Sequence, residues 1–258
     1  MRQRLDKPRI SPHLSVVIPA YNQQKTIDSD VRRIVTVLNN LNLNYEIIIV
    51  DDGSKDDTYR VLSKVNNPLV KVFHYDENQG KGHAVKFGMM QASGEIVGFI
   101  DAGMDIHTNG FAMLLNHMEW YNADVIVGSK LHPASKVNYP IQRKILSWGY
   151  RFLTRLLFGF KIRDTQVGLK FFKKEVIRKV LPRLLVKKYA FDIEILAVAY
   201  RLGYKRIYEA PIEIDFRGNT ITTWNVWITI YNMLWDTLAV FYRLRILHYY
   251  DNKNFSKY

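Results

Sequence analysis

The sequence predicts an α/β protein in which helices flank a doubly wound, mainly parallel sheet. Two near-continuous runs of branched apolar residues, at 14–19 and 45–50, are typical of strands covered on both faces. Between them, residues 26–43 repeat apolar side chains at helical spacing, so the three segments form a βαβ unit.

The rest of the first half continues this alternation. Its apolar patterns predict helix, strand, helix and strand in turn, over residues 57–65, 70–75, 82–92 and 95–100. Because ligands of such sheets bind at the carboxyl ends of the strands, the residues that follow each strand are the first candidates for a functional site.

The second half alternates less regularly. Helical and extended patterns cover residues 109–121, 123–129, 141–160, 191–202 and 205–216, with a polar loop at 131–140. The helix over 141–160 combines an apolar face with basic side chains, a pattern typical of a membrane surface or of a solvated face. A long helical tail rich in Trp and Tyr is predicted over 220–250.

Composition excludes several classes of protein. The chain has 258 residues, of which 48% are apolar and 24% charged, so disordered and low-complexity structure is excluded. It has no cysteine, which excludes disulfide frameworks, thiolate zinc sites and thiol nucleophiles. Lys and Arg outnumber Asp and Glu by 37 to 24, and residues 130–188 hold sixteen basic residues against two acids. This charge predicts an anionic partner: a nucleotide, a lipid phosphate, nucleic acid or a membrane surface.

Acids and turn residues follow three of the predicted strands. The first strand runs into residues 19–22 (PAYN), the second into 51–54 (DDGS) and the fourth into 101–105 (DAGMD). Such residues are also common in turns and helix caps, but turn chemistry does not require two acids at each of two strand ends. We therefore expect a ligand site at this edge of the sheet.

Several motifs resemble one enzyme family. Residues 16–22 and 48–54 resemble the opening of family 2 glycosyltransferases, which have the GT-A fold. Five further segments are similar to polyprenyl-phosphate sugar synthases, the branch with dolichyl-phosphate mannose and glucose synthases: residues 78–85, 128–130, 164–171, 191–196 and 209–212. The resemblance implies a GT-A domain over 1–217, with an N-terminal extension over 1–13, and a C-terminal aromatic, amphipathic helical segment over 218–258.

The resemblance also implies a nucleotide site at the strand ends, with either Asp51 or Asp52 accepting hydrogen bonds from the base or ribose. Its residues would be Pro19, Tyr21, Asn22, Val50, Asp51, Asp52, Lys81, Asp101, Ala102 and Gly103. Asp101 matches the first acid of the family's metal-binding Asp-x-Asp pair, and Gly103 replaces the second. We expect Mg²⁺ or Mn²⁺ to be held either by Asp101 with Asp105, or by Asp101 with phosphates and water.

In the basic second half of the chain, the resemblance implies the residues that bind the acceptor. Phosphate-binding positions of the resembled enzymes are matched by Lys130, Arg143, Ser147 and Arg217, and Arg143 is also a catalytic candidate. These enzymes invert the anomeric carbon, and a phosphate acceptor needs positioning and charge screening rather than a base. A hydroxyl acceptor would need a base. Asp164 and Asp192 are the catalytic candidates for it, with Asp164 preferred because it lies in the better-matched motif. Asp192 lies near a predicted helix N-terminus, where an acid also stabilises the helix.

The sequence predicts a cytoplasmic protein bound peripherally to the inner face of the membrane. No apolar leader precedes the first strand, and no charge-free apolar run reaches the length of a membrane-spanning helix. The aromatic tail and the basic helix over 141–160 favour attachment to a membrane surface. The alternative is that the aromatic rings pack on the sheet domain or on the partner in a homodimer.

The expected function is inverting transfer of a hexose from a UDP- or GDP-sugar to a polyprenyl phosphate. Two alternatives remain: a family 2 transferase acting on a glycan hydroxyl, and a catalytically weakened nucleotide-sugar-binding protein, which Gly103 suggests. The chain has no Gln-x-x-Arg-Trp motif, which argues against a processive polysaccharide synthase. Only the net charge favours nucleic acid, and no recognition motif accompanies it, so no nucleic-acid partner is expected.

Overall fold

A computed structural model describes residues 14–102, 109–137, 141–160, 162–188, 190–214 and 224–252. The strands are β1 (Leu14–Ala20), β2 (Tyr45–Asp52), β3 (Val70–Tyr75), β4 (Ile96–Ile100), β5 (Val125–Ser129), β6 (Lys136–Val137), β7 (Leu169–Lys173), β8 (Ile207–Pro211) and β9 (Glu213–Ile214). The helices are α1 (Ile27–Asn40), α2 (Thr58–Leu62), α3 (Lys81–Met90), α4 (Asn109–Trp120), α5 (Ile141–Phe158), α6 (Lys174–Val180), α7 (Phe191–Arg201) and α8 (Trp224–Arg245). The N-terminal extension over 1–13 lies outside the described residues.

Within the described ranges, seven strands form the central sheet, in the order β3-β2-β1-β4-β7-β5-β8. Neighbouring strands are parallel except at β7, which runs antiparallel to both β4 and β5. This architecture confirms the predicted fold class, a mainly parallel sheet flanked by helices. Because β1, β2 and β4 are parallel and adjacent, the residues that follow them emerge at the same edge of the sheet.

The two faces of the sheet are covered by separate cores. Val17 and Ile48 pack on the side that holds α3, α6 and α7, whereas Val16 and Ile47 pack on the side that holds α1 and α4. Successive residues of a strand point to opposite faces, so a strand between two cores is apolar on both faces over most of its length. This explains the near-continuous apolar runs of β1 and β2.

The sequence patterns did not indicate the central strand β7. Lys170 interrupts its apolar run, yet this lysine is fully buried. Phe171 stands opposite Gly98 of β4, and a Cβ built on Gly98 would lie 1.9 Å from Phe171 Cδ1. The strand is therefore held in place by residues that are distant in sequence, which a local pattern does not reveal.

Smaller differences concern the bounds of the elements. The helix predicted over 57–65 is shorter in the structure, because α2 ends at Leu62. The helix α6 was not predicted. The predicted extended segment over 205–216 consists of β8 and β9, and its last two residues lie outside the described ranges.

The predicted helical tail contains α8, and one side of this helix packs on the sheet domain. Val240 and Leu244 are buried in the same core as α7. Beyond α8, Tyr250 is fully buried and its hydroxyl donates a hydrogen bond to Glu194 Oε1 at 2.6 Å. Among the described residues, no helix has both the length and the apolar character needed to cross a membrane.

Glu46 on β2 joins three parts of the chain. Its Oε1 accepts hydrogen bonds from Ser15 Oγ at 2.6 Å and from Ser93 N at 2.7 Å, and its Oε2 accepts one from Lys71 Nζ at 2.8 Å. Burial of the carboxyl raises its pKa, but these donors lower the pKa further, to about 2.

We expect Glu46→Gln to lower the free energy of unfolding by roughly 2 kcal/mol at pH 7. The pKa of Glu46 is lower in the folded protein than the ordinary value of 4.5, so its contribution to stability is present above that pH and is lost toward pH 2. Urea unfolding of the unchanged protein and of Glu46→Gln at pH 7 and pH 3 should show a smaller difference in the free energy of unfolding at pH 3. A difference that stays constant between the two pH values would contradict this account.

Candidate active site

A cavity of about 500 Å³ opens where the carboxyl ends of β1, β2 and β4 meet. Six residues of the predicted nucleotide site line it: Pro19, Tyr21, Asp52, Lys81, Asp101 and Ala102. The cavity is also lined by residues that were not among the predicted site residues: Ala20, Gln23, Asn78, Gly80 and Lys188. The structure therefore brings the three predicted strand ends together around one cavity.

A ring of donors fixes the carboxylate of Asp52 at this cavity. The backbone amides of Gln79 and Gly80 donate to it at 2.8 and 2.9 Å, and Asn78 Nδ2 donates at 2.9 Å. Burial raises the pKa of Asp52, although the two amides oppose this. Gly80 has a φ of 100°, which permits the turn that points these amides at the carboxylate.

The neighbouring acid, Asp51, has a different environment. It is fully buried and does not line the cavity; Ser54 Oγ donates a hydrogen bond to it, and His74 Nδ1 lies 2.8 Å from its Oδ2. The His74 ring in turn stacks on Tyr59, with 4.2 Å between ring centroids. Of the two acids that the sequence left as alternatives for the nucleoside, only Asp52 faces the cavity.

Two other predicted residues also lie away from the cavity wall. Val50 is fully buried in the core between β2 and α3. Asn22 adopts a left-handed backbone conformation, with φ of 52°, and its Oδ1 accepts a hydrogen bond from Lys55 N at 2.9 Å. This side chain therefore joins the loops after β1 and β2, and the proposed nucleotide contacts of both residues stay predictions.

Four charged side chains form a chain of ion pairs beside the cavity. Lys81 Nζ lies 2.9 Å from Asp101 Oδ1 and 3.1 Å from Asp192 Oδ2. Lys170 Nζ contacts the other oxygen of Asp192, and both of these residues are almost completely buried. Burial lowers the pKa of Lys81, but Asp101 and Asp192 outweigh it and the pKa is raised; for fully buried Lys170, burial prevails and the pKa is lowered.

Asp101 fits a divalent cation in its chemistry and its surroundings. Lys81 Nζ donates to its Oδ2 at 3.0 Å, but lies off the hydrogen-bond direction of Oδ1, which accepts no hydrogen bond from any described residue. No cluster of three or more Asp, Glu or His side chains able to hold a metal occurs in the described part of the chain. Asp101 would hold Mg²⁺ or Mn²⁺ either with Asp105 or with donor phosphates and water, because these ions bind carboxylate, phosphate and water oxygens. Gly103 and Asp105 lie outside the described residues.

Asp164, the preferred candidate base, is buried in its own loop. Its Oδ2 accepts a hydrogen bond from Lys130 N at 3.2 Å, and its Oδ1 accepts one from Gln166 N at 3.2 Å. Its own amide donates to Glu209 Oε1 at 2.9 Å. These bonds hold the loop before β7 against β5 and β8, and neither Asp164 nor Lys130 lines the cavity.

The other predicted acceptor-side residues are not described at the level of side chains. Arg143 and Ser147 belong to α5, whose backbone confirms the predicted helix, and Arg217 lies outside the described residues. Their roles stay predictions. Lys188 was not predicted as a cavity residue, because only its place in the basic run over 130–188 distinguished it.

Comparison with known families shows to which family the chain belongs. The model of glycosyl transferase family 2 matches residues 15–181. The chain belongs to glycosyl transferase family 2. This match confirms the resemblance to family 2 glycosyltransferases that the motifs indicate.

Curated relatives of this family 2 chain include dolichyl-phosphate beta-glucosyltransferases. The Drosophila melanogaster protein is 32% identical over 239 residues, which are 86% of this chain and 73% of the relative. The Dictyostelium discoideum protein is 32% identical over 206 residues, and there this chain spans 63% of the relative's length. A Methanococcus voltae protein named UDP-N-acetylglucosamine–dolichyl-phosphate N-acetylglucosaminyltransferase is 30% identical over 257 residues, 90% of this chain and 94% of that one.

Solved structures support the GT-A fold. The glucosyl-3-phosphoglycerate synthase of Mycobacterium tuberculosis, crystallised with Mn²⁺, UDP and phosphoglyceric acid, superposes with a TM-score of 0.67. The match covers 90% of this chain and 78% of that one at 20% identity. At this identity the likeness shows the fold alone.

Proposed function

We propose that this protein transfers glucose from a nucleoside-diphosphate glucose to a polyprenyl phosphate of the dolichyl type, with inversion at the anomeric carbon. The proposal is carried by a cavity that combines Asp52, Asp101, Lys81 and Lys188, in a family 2 chain whose curated relatives are named for dolichyl-phosphate acceptors. The acceptor is common to the names of these relatives, whereas the sugar differs between them. The sugar and the nucleotide base are therefore the parts of the proposal that the experiment must test.

The donor would bind with its nucleoside beside β1 and β2. Tyr21 is exposed at the edge of the cavity and offers an aromatic surface to the base, and the fixed carboxylate of Asp52 accepts hydrogen bonds from base or ribose. A divalent cation held by Asp101 would neutralise the charge that develops on the departing nucleoside diphosphate. Lys81 and Lys188 add positive charge to the same cavity.

The acceptor chemistry agrees with the state of the candidate bases. A phosphate acceptor is already an anion at neutral pH, so it attacks without giving up a proton to the protein. Both oxygens of Asp192 are engaged by lysines, and both oxygens of Asp164 accept backbone hydrogen bonds. These contacts favour positioning roles for the two acids over general-base catalysis.

The test is release of nucleoside diphosphate from UDP-glucose, GDP-glucose, UDP-N-acetylglucosamine and GDP-mannose in detergent. Each donor is assayed with a short polyprenyl phosphate, with the matching polyprenol as a control, and with Mn²⁺ or a chelator. We expect release from UDP-glucose that requires the phosphate of the lipid. Equal release with polyprenol would favour a hydroxyl acceptor instead, and nucleotide binding without release from any donor would favour a sugar-nucleotide-binding protein.

We further propose that α5 and α8 attach the protein peripherally to a membrane that contains the lipid acceptor. On α5, Trp148, Phe152 and Leu156 follow one another at helical spacing and are each more than half exposed. The two helices meet where Tyr150 Oη and Thr237 Oγ1 hydrogen-bond at 2.9 Å. On α8, a second exposed stripe recurs every three or four residues: Ile228, Tyr231, Trp235, Leu238 and Tyr242. Exposed apolar stripes of this size mark interaction surfaces, and Trp and Tyr favour the membrane interface.

We expect the double variant Trp148→Ser/Trp235→Ser to bind anionic lipid vesicles about tenfold more weakly than the unchanged protein, because each ring would contribute apolar burial. Vesicle co-sedimentation measures this. Trp120→Ser is the matched control, since Trp120 on α4 is 71% exposed but lies on a different helix. Equal vesicle binding by the double variant, together with loss of a dimer in ultracentrifugation, would assign the stripes to a homodimer instead.

A further inference from the structure

Lys81 reaches two carboxylates that come from different parts of the fold. It is the first residue of α3, and its Nζ bridges Asp101, which follows β4, and Asp192, near the start of α7. The side chain of Lys81 is 20% exposed and lines the cavity. The ammonium group therefore stands between the candidate metal ligand and the buried interior.

The second lysine of this cluster gives Asp192 its own permanent partner. Lys170 Nζ contacts Asp192 Oδ1 and has no exposed surface. Asp192 thus keeps a counter-charge if Lys81 moves away from it. Lys81 has a flexible four-carbon side chain and exposed surface in the cavity, so of these two lysines it is the one that can exchange partners.

Asp101 has two competing cations. Its carboxylate is the candidate ligand for a divalent cation, but an ammonium group already lies 2.9 Å from Oδ1. A divalent cation on the same carboxylate would lie close to this ammonium group, and like charges a few ångströms apart repel. A divalent cation bound to Asp101 and Lys81 in its present position are therefore mutually unfavourable.

We propose that Lys81 is a displaceable internal cation of the donor site. In the free protein it forms an ion pair with Asp101. When the donor binds, Lys81 moves away, so that Asp101 binds the divalent cation and Lys81 pairs with the diphosphate of the donor. This rests on the proposed function for the identity of the donor. The consequence is that metal and nucleotide bind synergistically, because without a diphosphate the metal must displace Lys81 while no anion receives it.

The first test is Mn²⁺ binding to the protein without nucleotide, measured by electron paramagnetic resonance. We expect Lys81→Met to bind Mn²⁺ at least about tenfold more tightly than the unchanged protein, because the competing charge is gone. Lys86→Met is the matched control, since Lys86 lies on the same helix but donates to Leu184 O at 2.8 Å and does not line the cavity. Unchanged or weaker Mn²⁺ binding by Lys81→Met would overturn the displacement.

The second test repeats the titration with UDP present. We expect UDP to strengthen Mn²⁺ binding to the unchanged protein by a larger factor than it does for Lys81→Met. Only the unchanged protein has a lysine at position 81 that can pair with the diphosphate. An equal factor in the two proteins would overturn the transfer of Lys81 to the donor.

The third test requires no variant, so it does not depend on the folding of Lys81→Met. In a crystal structure of the unchanged protein with UDP and Mn²⁺, we expect Lys81 Nζ within hydrogen-bond distance of a phosphate oxygen and farther than about 4 Å from Asp101, beyond the range of an ion pair. A Lys81 that still bridges Asp101 and Asp192 would overturn the proposal. None of the three tests uses an acceptor or turnover, so failure of the proposed glucose transfer is distinguishable from failure of this proposal. GDP replaces UDP in the second and third tests if the donor assay selects a GDP-sugar.

Discussion

Asp192→Asn is expected to lower the free energy of unfolding by about 3–5 kcal/mol, because it leaves Lys170 buried without a negative partner. Lys170 has no exposed surface, and apart from Asp192 its Nζ bonds the carbonyl oxygen of Val167. A single carbonyl does not compensate a buried ammonium group for the water it has lost. Urea unfolding of the two proteins at pH 7 measures the difference.

The same substitution at an exposed ion pair provides the control. Asp28 on α1 pairs with Arg32 at 2.8 Å; the Arg32 side chain is largely exposed and that of Asp28 about half exposed, so Asp28→Asn should cost less than about 1 kcal/mol. In the double variant Lys170→Met/Asp192→Leu both buried charges are absent, and we expect it to be more stable than Asp192→Asn. A cost for Asp192→Asn no greater than that for Asp28→Asn would show that Lys170 is hydrated or neutral in the folded protein.

Lys170 also explains why the sequence predicted some strands and not others. β1 and β2 each contain a run of consecutive apolar residues because both of their faces are covered, and such runs are visible without any knowledge of their neighbours. β7 lies equally deep, but its lysine is tolerated only because Asp192, 22 residues later, provides the opposite charge. A local pattern contains no information about that pairing, so the strand was missed.

The residues of the candidate site were likewise predictable from the sequence only in part. The acids at the end of β2 and after β4 were predictable, because parallel strands bring their carboxyl ends to one edge and the motifs resembled a known family. That Asp52 faces the cavity while Asp51 is held by Ser54 and His74 depends on side-chain packing, which strand order does not determine. The pairing of Lys81 with Asp192 joins residues 111 positions apart, and no periodicity in the sequence indicates it.

Gly168→Ala is expected to lower kcat/KM for the proposed glucose transfer by about a hundredfold or more, because it displaces the carboxylate of Asp101. Gly168 precedes β7, and its carbonyl oxygen accepts a hydrogen bond from Asp101 N at 2.9 Å. A Cβ on Gly168 would lie 1.9 Å from Asp101 Oδ2, a distance at which one of the two groups must move. The φ of Gly168 lies outside the left-handed region, so alanine introduces this contact without backbone strain.

The displaced group should be the Asp101 side chain, since it borders the cavity while Gly168 is held in the loop before the central strand β7. We therefore expect the melting temperature of Gly168→Ala to change little while Mn²⁺ and UDP bind more weakly. Gly149→Ala on α5 is the control, because a Cβ there meets no atom within 4 Å and alanine favours a helix. Full activity of Gly168→Ala would mean that Asp101 does not have to occupy its present position for the chemistry. Unfolding of the variant at ambient temperature would mean that the loop, rather than the carboxylate, gives way.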